Sequence, residues 1–415
     1  MKISHLVGVA TLLAAGFAQA QEAIKWSVLL ETWYNQDLNN NLRVNSAVKP
    51  AGAAAYYEGL GSGRFAENSF TIRRSEISFY GTITDTLSFN GMFDPNNNTS
   101  TVPNNVLSDA VITWAPYKGF QIKAGQLKMP TTWEGSIAGS KDLLFFDRNQ
   151  LNRVLGDVRD RGVIFSYSYG EAKGFQGKLN FAISNGTTDD GSKGKTPVDA
   201  NAQKDYTFRF EGGYGAAHKF GAYYREGVTN LKDSTMVAAT IPASWTVGAP
   251  SAQQIKDNKD KTTLQGAFYV YDTATWHADA EFATGLLGRR FPTLFAAAAA
   301  PMRESLDQKY QGYTVSGAYK MASHWFTARY DVMNYNSGND WYTATNPYQT
   351  ATADYTPKYI EMTLGYNYLF VPSKYAFGKI KFDYIHRSKN FLAPRAGQVG
   401  EQGGDSLMTS LMITF

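Results

Sequence analysis

The sequence predicts an all-β fold, a transmembrane antiparallel barrel of about 16 strands with short periplasmic turns and long extracellular loops, and three observations predict it. The first is the alternation of apolar and polar side chains in short segments rich in Tyr, Phe and Trp. The second is the rhythm of the connections, in which tight turns alternate with long polar loops. The third is the N-terminus: Lys2 precedes an apolar run from Leu6 to Phe17 and the small-residue site Ala18-Gln19-Ala20, the layout of a secretory signal peptide cleaved after Ala20.

That apolar run is too short to cross about 30 Å of hydrocarbon as a helix. Residues 1–20 are therefore read as a signal peptide and residues 21–415 as one barrel domain, since no linker or composition shift divides them. The chain has no cysteine, so neither a disulfide framework nor a thiolate metal site is available. Loss of Lys2 with the signal changes the 40 basic residues to 39 against 36 acidic ones, or +3. That balance argues against a nucleic-acid partner. No later stretch of apolar residues is long enough for a membrane helix.

The most legible strand follows Trp325, with Phe326, Ala328, Tyr330 and Val332 on one face and Thr327, Arg329 and Asp331 on the other. The first face suits lipid and the second water. Leu179, Phe181 and Ile183 oppose Lys178, Asn180 and Ser184 in the same way, as Ile380, Phe382 and Tyr384 oppose Lys379, Lys381 and Asp383. Sixteen strands are expected near 24–34, 69–82, 87–94, 107–116, 120–129, 160–169, 175–185, 205–212, 219–228, 262–271, 276–284, 309–320, 325–333, 358–369, 376–386 and 406–415. An even count brings both ends to the periplasmic side and leaves no unpaired edge in lipid. The final strand places Leu407, Thr409, Leu411, Ile413 and Phe415 on one face and stops at the aromatic.

Three segments carry a family resemblance: Phe70 to Ile77 with its Arg73-Arg74 pair, Gly125-Gln-Leu-Lys-Met-Pro130 followed by Trp133-Glu134, and Phe145 through Arg148 and Arg153 to Val163. In these the chain resembles the phosphate-selective porin O and P family, departing from its pattern at Leu127 and Thr131, where Phe is commoner. The resemblance implies an outer-membrane pore, commonly a homotrimer surrounded by outer-membrane lipid, and makes inorganic phosphate or other small anions the expected solutes.

The long connection at residues 130–158 is the candidate constriction loop, because its length is unusual for a surface connection. Asp142, Leu143, Leu144, Phe145, Phe146, Leu151 and Val154 are spaced as an amphipathic helical turn whose apolar side would pack on the inner wall. Lys141, Asp147, Arg148 and Arg153 would then lie near the aqueous path. Anion preference needs basic side chains aimed into the lumen. The pore-lining candidates are Arg74, Lys123, Lys128, Arg148, Arg153, Arg159, Arg161, Arg209, Arg225, Arg329, Lys379 and Lys381. Lys25, Lys178 and Lys219 are inward as well, the inward acids (Glu31, Glu76, Asp109, Glu211, Asp279, Glu281, Asp331, Glu361, Asp383) nearly balance the inward bases, and for any single Arg a wall ion pair is a commoner role than a substrate contact.

Two alternatives stand beside an anion pore. One is a general or sugar-specific porin without anion preference; a sugar-specific pore would use an aromatic track, for which Tyr223, Tyr269 and Tyr271 are inward by alternation and Trp341, Tyr342 and Tyr348 lie in the seventh loop. A barrel hydrolase would need Ser or Asp beside a lumen His, and His277 near Asp279 is the one close pairing. The five histidines show no metal-ligand spacing, no nucleophile elbow is present, and neither catalysis nor a cofactor is expected.

Overall fold

The computed structural model describes residues 24–38, 69–95, 106–136, 139–156, 159–171, 174–186, 204–229, 260–287, 308–334, 337, 358–388 and 404–415. The signal segment, the seventh-loop aromatics Trp341, Tyr342 and Tyr348, and the Val154 side chain lie outside the described residues.

Alternating side chains need a sheet with two different faces, and a sheet in lipid must close on itself. The chain does both with β1 (Lys25–Asp37), β2 (Ser69–Thr84), β3 (Leu87–Phe93), β4 (Leu107–Tyr117), β5 (Phe120–Lys128), β6 (Arg159–Gly170), β7 (Phe175–Ser184) and β8 (Asp205–Tyr214). It continues with β9 (His218–Thr229), β10 (Asp260–Asp272), β11 (Trp276–Leu287), β12 (Gln308–Met321), β13 (His324–Asn334), β14 (Lys358–Leu369), β15 (Gly378–Arg387) and β16 (Gly404–Thr414). Every strand pairs antiparallel with its sequence neighbours, and β1 pairs with β16 to form a closed barrel. The closing seam ends on reciprocal bonds: Val28 N–H donates to the Phe415 carbonyl at 2.7 Å, and Phe415 N–H to that of Val28 at 3.0 Å. No strand end departs by more than three residues from the sequence expectation.

The faces separate as the alternation requires. On β13, Phe326 is 50% exposed on the outside, whereas Thr327, Arg329 and Asp331 are buried inside. One strand inverts the rule that polar means inward. Tyr269 is exposed on the outer face of β10, and Tyr271 shares that face with it. Phe268, Leu264 and Val270 point inward instead, because Leu151 and Tyr223 give them an apolar surface inside the barrel. Of the three described residues of the expected aromatic track, Tyr223 is inward and Tyr269 and Tyr271 are outward. A register shift opposite Glu31/Thr32 drops Arg73 from the β1–β2 ladder, and its guanidinium lies 5.0 Å from the Trp33 ring beside the inward Arg74.

Candidate pore constriction

Between β5 and β6 the chain turns into the barrel through α1 (Trp133–Ser136), a 3-10 turn at Ser140–Asp142, and α2 (Gln150–Leu155). Residues 143–149 are not the helical turn that their spacing predicts. A helix must spend its carbonyls on its own amides, and here wall side chains take them. Lys379 Nζ donates to the carbonyls of Lys141 (2.8 Å) and Leu143 (3.3 Å), and the Tyr375 hydroxyl also reaches Leu143 (2.7 Å). Asn367 Nδ2 holds Leu144 at 2.8 Å, Lys381 Nζ holds Phe145 at 3.0 Å, and Arg329 Nη1 holds Asp147 at 2.8 Å. Arg209 Nη1 grips Thr131 and, at 3.2 Å, Thr132.

Carboxylates take the amides. Trp133 N–H donates to Glu281 at 2.7 Å, Phe146 N–H to Asp383 at 2.6 Å, Gln150 N–H to Asp331 at 3.3 Å, and Asn149 N–H to Glu134 at 2.7 Å. Asn149 also caps α2, its side chain accepting from Asn152 N–H. Trp133 stacks on Phe268 with centroids 5.2 Å apart, and Leu151 joins the β9–β11 apolar cluster. The loop thus leans on the wall from β8 around to β15. Glu134, within the loop, has its carboxyl pushed up to about 7 by burial, against the pull of Arg329 and Arg148.

The predicted cations divide by what they touch. Arg209, Arg329, Lys379 and Lys381 hold the loop backbone, as described. Arg153 and Arg329 converge on Glu361 at 3.0 and 3.2 Å, joined by Arg387 at 3.5 Å. Arg74 is paired with Glu31, which also receives Lys381 at 3.2 Å. Arg225 is paired with Asp205 at 2.5 Å and Arg159 with Asp109 at 2.9 Å. Lys128 Nζ donates to the Gly135 carbonyl at 3.1 Å. Asp147, Arg148 and Arg153, expected beside water, are all buried, and of that group only Lys141 is exposed. Their burial follows from the same grip, which presses residues 145–153 onto the wall. Arg161 is a correction of face: Asp160, Ile164 and Ser166 are buried inside, so Arg161 shares the outer face of β6 with the exposed Tyr167.

Three further inward lysines are placed differently. Lys123 (β5), Lys178 (β7) and Lys219 (β9) face inward, each within four residues of the periplasmic end of its strand. Among the described residues none of the three makes a hydrogen bond or ion pair; Lys219 lies 6.0 Å from the Trp133 ring. Sequence reasoning listed Lys178 and Lys219 as inward but did not single them out, because partnership is decided by neighbours on other strands.

His277 lies between Asp272 and Asp279, with a ring nitrogen 3.0 Å from each. The nearby Ser316 hydroxyl bonds to Asp279, so it is not aligned with the imidazole. No group of His, Asp or Glu with metal-holding geometry occurs among the described residues.

The sequence profile of the phosphate-selective porins O and P matches residues 56–399. No curated protein matches the chain. Among solved structures, the in-vitro folded OmpT of Vibrio cholerae in its trimer form superposes with a TM-score of 0.53 at 10% identity, over 95% of this chain and 99% of its own. Salmonella typhi OmpF in complex with daunomycin gives 0.52 at 11% identity, with 94% and 97% covered. The anion-selective porin from Comamonas acidovorans gives 0.50 at 8%, with 95% and 99% covered. At such identities the likeness is one of fold.

Proposed function

The chain belongs to the phosphate-selective porin O and P family, an outer-membrane β-barrel channel, and from that premise we propose that it passes small anions, inorganic phosphate among them, as a homotrimer and without catalysing a reaction. One observation carries the anion reading: the lumen cations split into a set committed to carboxylates and loop carbonyls and a set, Lys123, Lys178 and Lys219, with no such partner among the described residues. Charges already neutralised in a wall network contribute little net field, whereas unpaired ammonium groups lower the barrier to an anion and raise it to a cation. The family's description and the anion-selective neighbour support the same direction. A channel reading over an enzyme is supported by His277, whose two nitrogens both face carboxylates, leaving neither as a base for Ser316. The trimer reading rests on the family and on the trimeric form of the OmpT neighbour.

Reversal potential in a planar bilayer under a KCl gradient tests this. The expected sign is that of chloride permeation, with phosphate reducing chloride conductance. Replacing Lys123 and Lys178 by Gln should move the potential toward cation permeation. An unchanged potential in that variant would remove the two lysines from the selectivity mechanism, and cation preference in the native channel would remove the anion reading altogether.

A further inference from the structure

A cavity of about 240 Å³ lies between the constriction loop and the periplasmic half of β11 and β12. Trp133, Leu144 and Phe145 of the loop give it carbon walls, and three carboxylates line it: Glu134 and Asp142 from the loop and Asp279 from β11. Among the described residues its lining holds no lysine or arginine. The basic side chain there is His277, whose two nitrogens each lie 3.0 Å from a carboxylate, Asp272 and Asp279.

The three acids are not equally partnered. Asp279 accepts from His277 and from the Ser316 hydroxyl. Glu134 accepts the Asn149 N–H on one oxygen, and its other oxygen accepts no hydrogen bond among the described residues. Burial, with Asp279 adding to it, holds that carboxyl at about 7 although Arg329 and Arg148 pull the other way. Asp142 is exposed, and its carboxylate makes no hydrogen bond or ion pair among the described residues. Lys379 reaches the same turn but donates to the Lys141 and Leu143 carbonyls on either side of Asp142.

We infer that this cavity binds a small organic ammonium, a primary amine on a short carbon chain, with its charged end at Glu134 and Asp142 and its body against Trp133, Leu144 and Phe145. A protonated primary amine carries three N–H donors and no acceptor, and ionised carboxylates only accept, so the two match. A cation beside a Trp or Phe ring is attracted by the ring as well. A metal ion is the poorer occupant: the carbon walls offer it no ligands, and no group of His, Asp or Glu with metal-holding geometry occurs among the described residues. The cavity is smaller than the roughly 300 Å³ at which sites for drug-sized ligands begin, which keeps the amine small. The site does not rest on anion passage. It bears on the pore through Asn149, whose amide Glu134 holds and whose side chain caps α2.

The test is calorimetric titration of the detergent-purified protein at pH 8, where Glu134 is charged, with n-butylammonium chloride in parallel with neutral n-butanol. Native protein should bind the ammonium at least tenfold more tightly than the alcohol. Glu134→Gln with Asp142→Asn should abolish that preference, and Leu144→Trp, which fills the cavity, should weaken ammonium binding by a similar factor. Heat-modifiable migration on gels confirms that each variant is folded. Equal affinity of the native protein for ammonium and alcohol would overturn the inference without recourse to any variant, and so would unchanged ammonium binding in the folded double variant. Displacement of the amine by magnesium ion at matched ionic strength would assign the carboxylates to a metal and overturn it too.

Discussion

Glu134 shows how much a single buried residue can carry. Its carboxyl sits under the constriction loop, accepts the Asn149 amide at 2.7 Å, and is pushed up to about 7 because burial disfavours the charged form. The sign follows from linkage: a carboxyl raised in the folded state binds its proton more tightly there than in the unfolded chain. Its contribution is therefore present in mildly acidic solution and lost as pH rises through about 7. Protease cleavage within residues 130–158 should be slower at pH 6 than at pH 8, and Glu134→Gln should flatten that difference. Equal cleavage rates in the native protein would show that Glu134 does not set the loop's stability.

At the scale of elements, the strands were legible because alternation and turn spacing are local properties. The β13 face and the seven short turns needed no knowledge of distant neighbours. The loop was legible in position but not in conformation, since residues 144–147 take hydrogen bonds from β13 to β15, more than 180 positions away in sequence. Cross-strand partnership also hid which lumen cations were already paired, at separations such as 20 positions for Arg225 and Asp205 and 208 for Arg153 and Glu361. Tyr269 was misplaced because an apolar inner wall under Leu151 reverses the sign of the pattern on β10. The family's glycine at Gly125 has a physical reason that only the ladder reveals. It adopts φ +137 opposite Val111, where a Cβ would meet the Ala110 carbonyl oxygen, a backbone atom that cannot swing aside. Gly125→Ala should cost about 1–3 kcal/mol, read as a lower temperature for loss of the folded gel band; an unaltered transition would mean that β4 and β5 can shift to accept it.

For the whole molecule, the wall from β8 to β15 grips the loop through its backbone. The barrel does not recognise the loop chiefly by its side chains: from β8 to β15 the wall offers cations to loop carbonyls and carboxylates to loop amides. That arrangement uses much of the wall's charge internally, and under the proposed function it is Lys123, Lys178 and Lys219 that act on the solute. It also separates two kinds of substitution. Lys141→Ala and Leu144→Ala change loop side chains and leave the backbone grip intact, so the loop should stay seated. Lys379→Met keeps much of the shape of a fully buried side chain but deletes the donors to Lys141 and Leu143. Hydrogen bonds from a charged donor contribute about 1.5–3 kcal/mol each, so one such loss shifts the ratio of seated to unseated loop by roughly tenfold or more. Single-channel records of Lys379→Met should show flickering between conductance levels, while the two alanine variants keep a steady native level. Flicker in the alanine variants, with quiet records for Lys379→Met, would mean that side-chain packing rather than the backbone grip keeps the constriction in place.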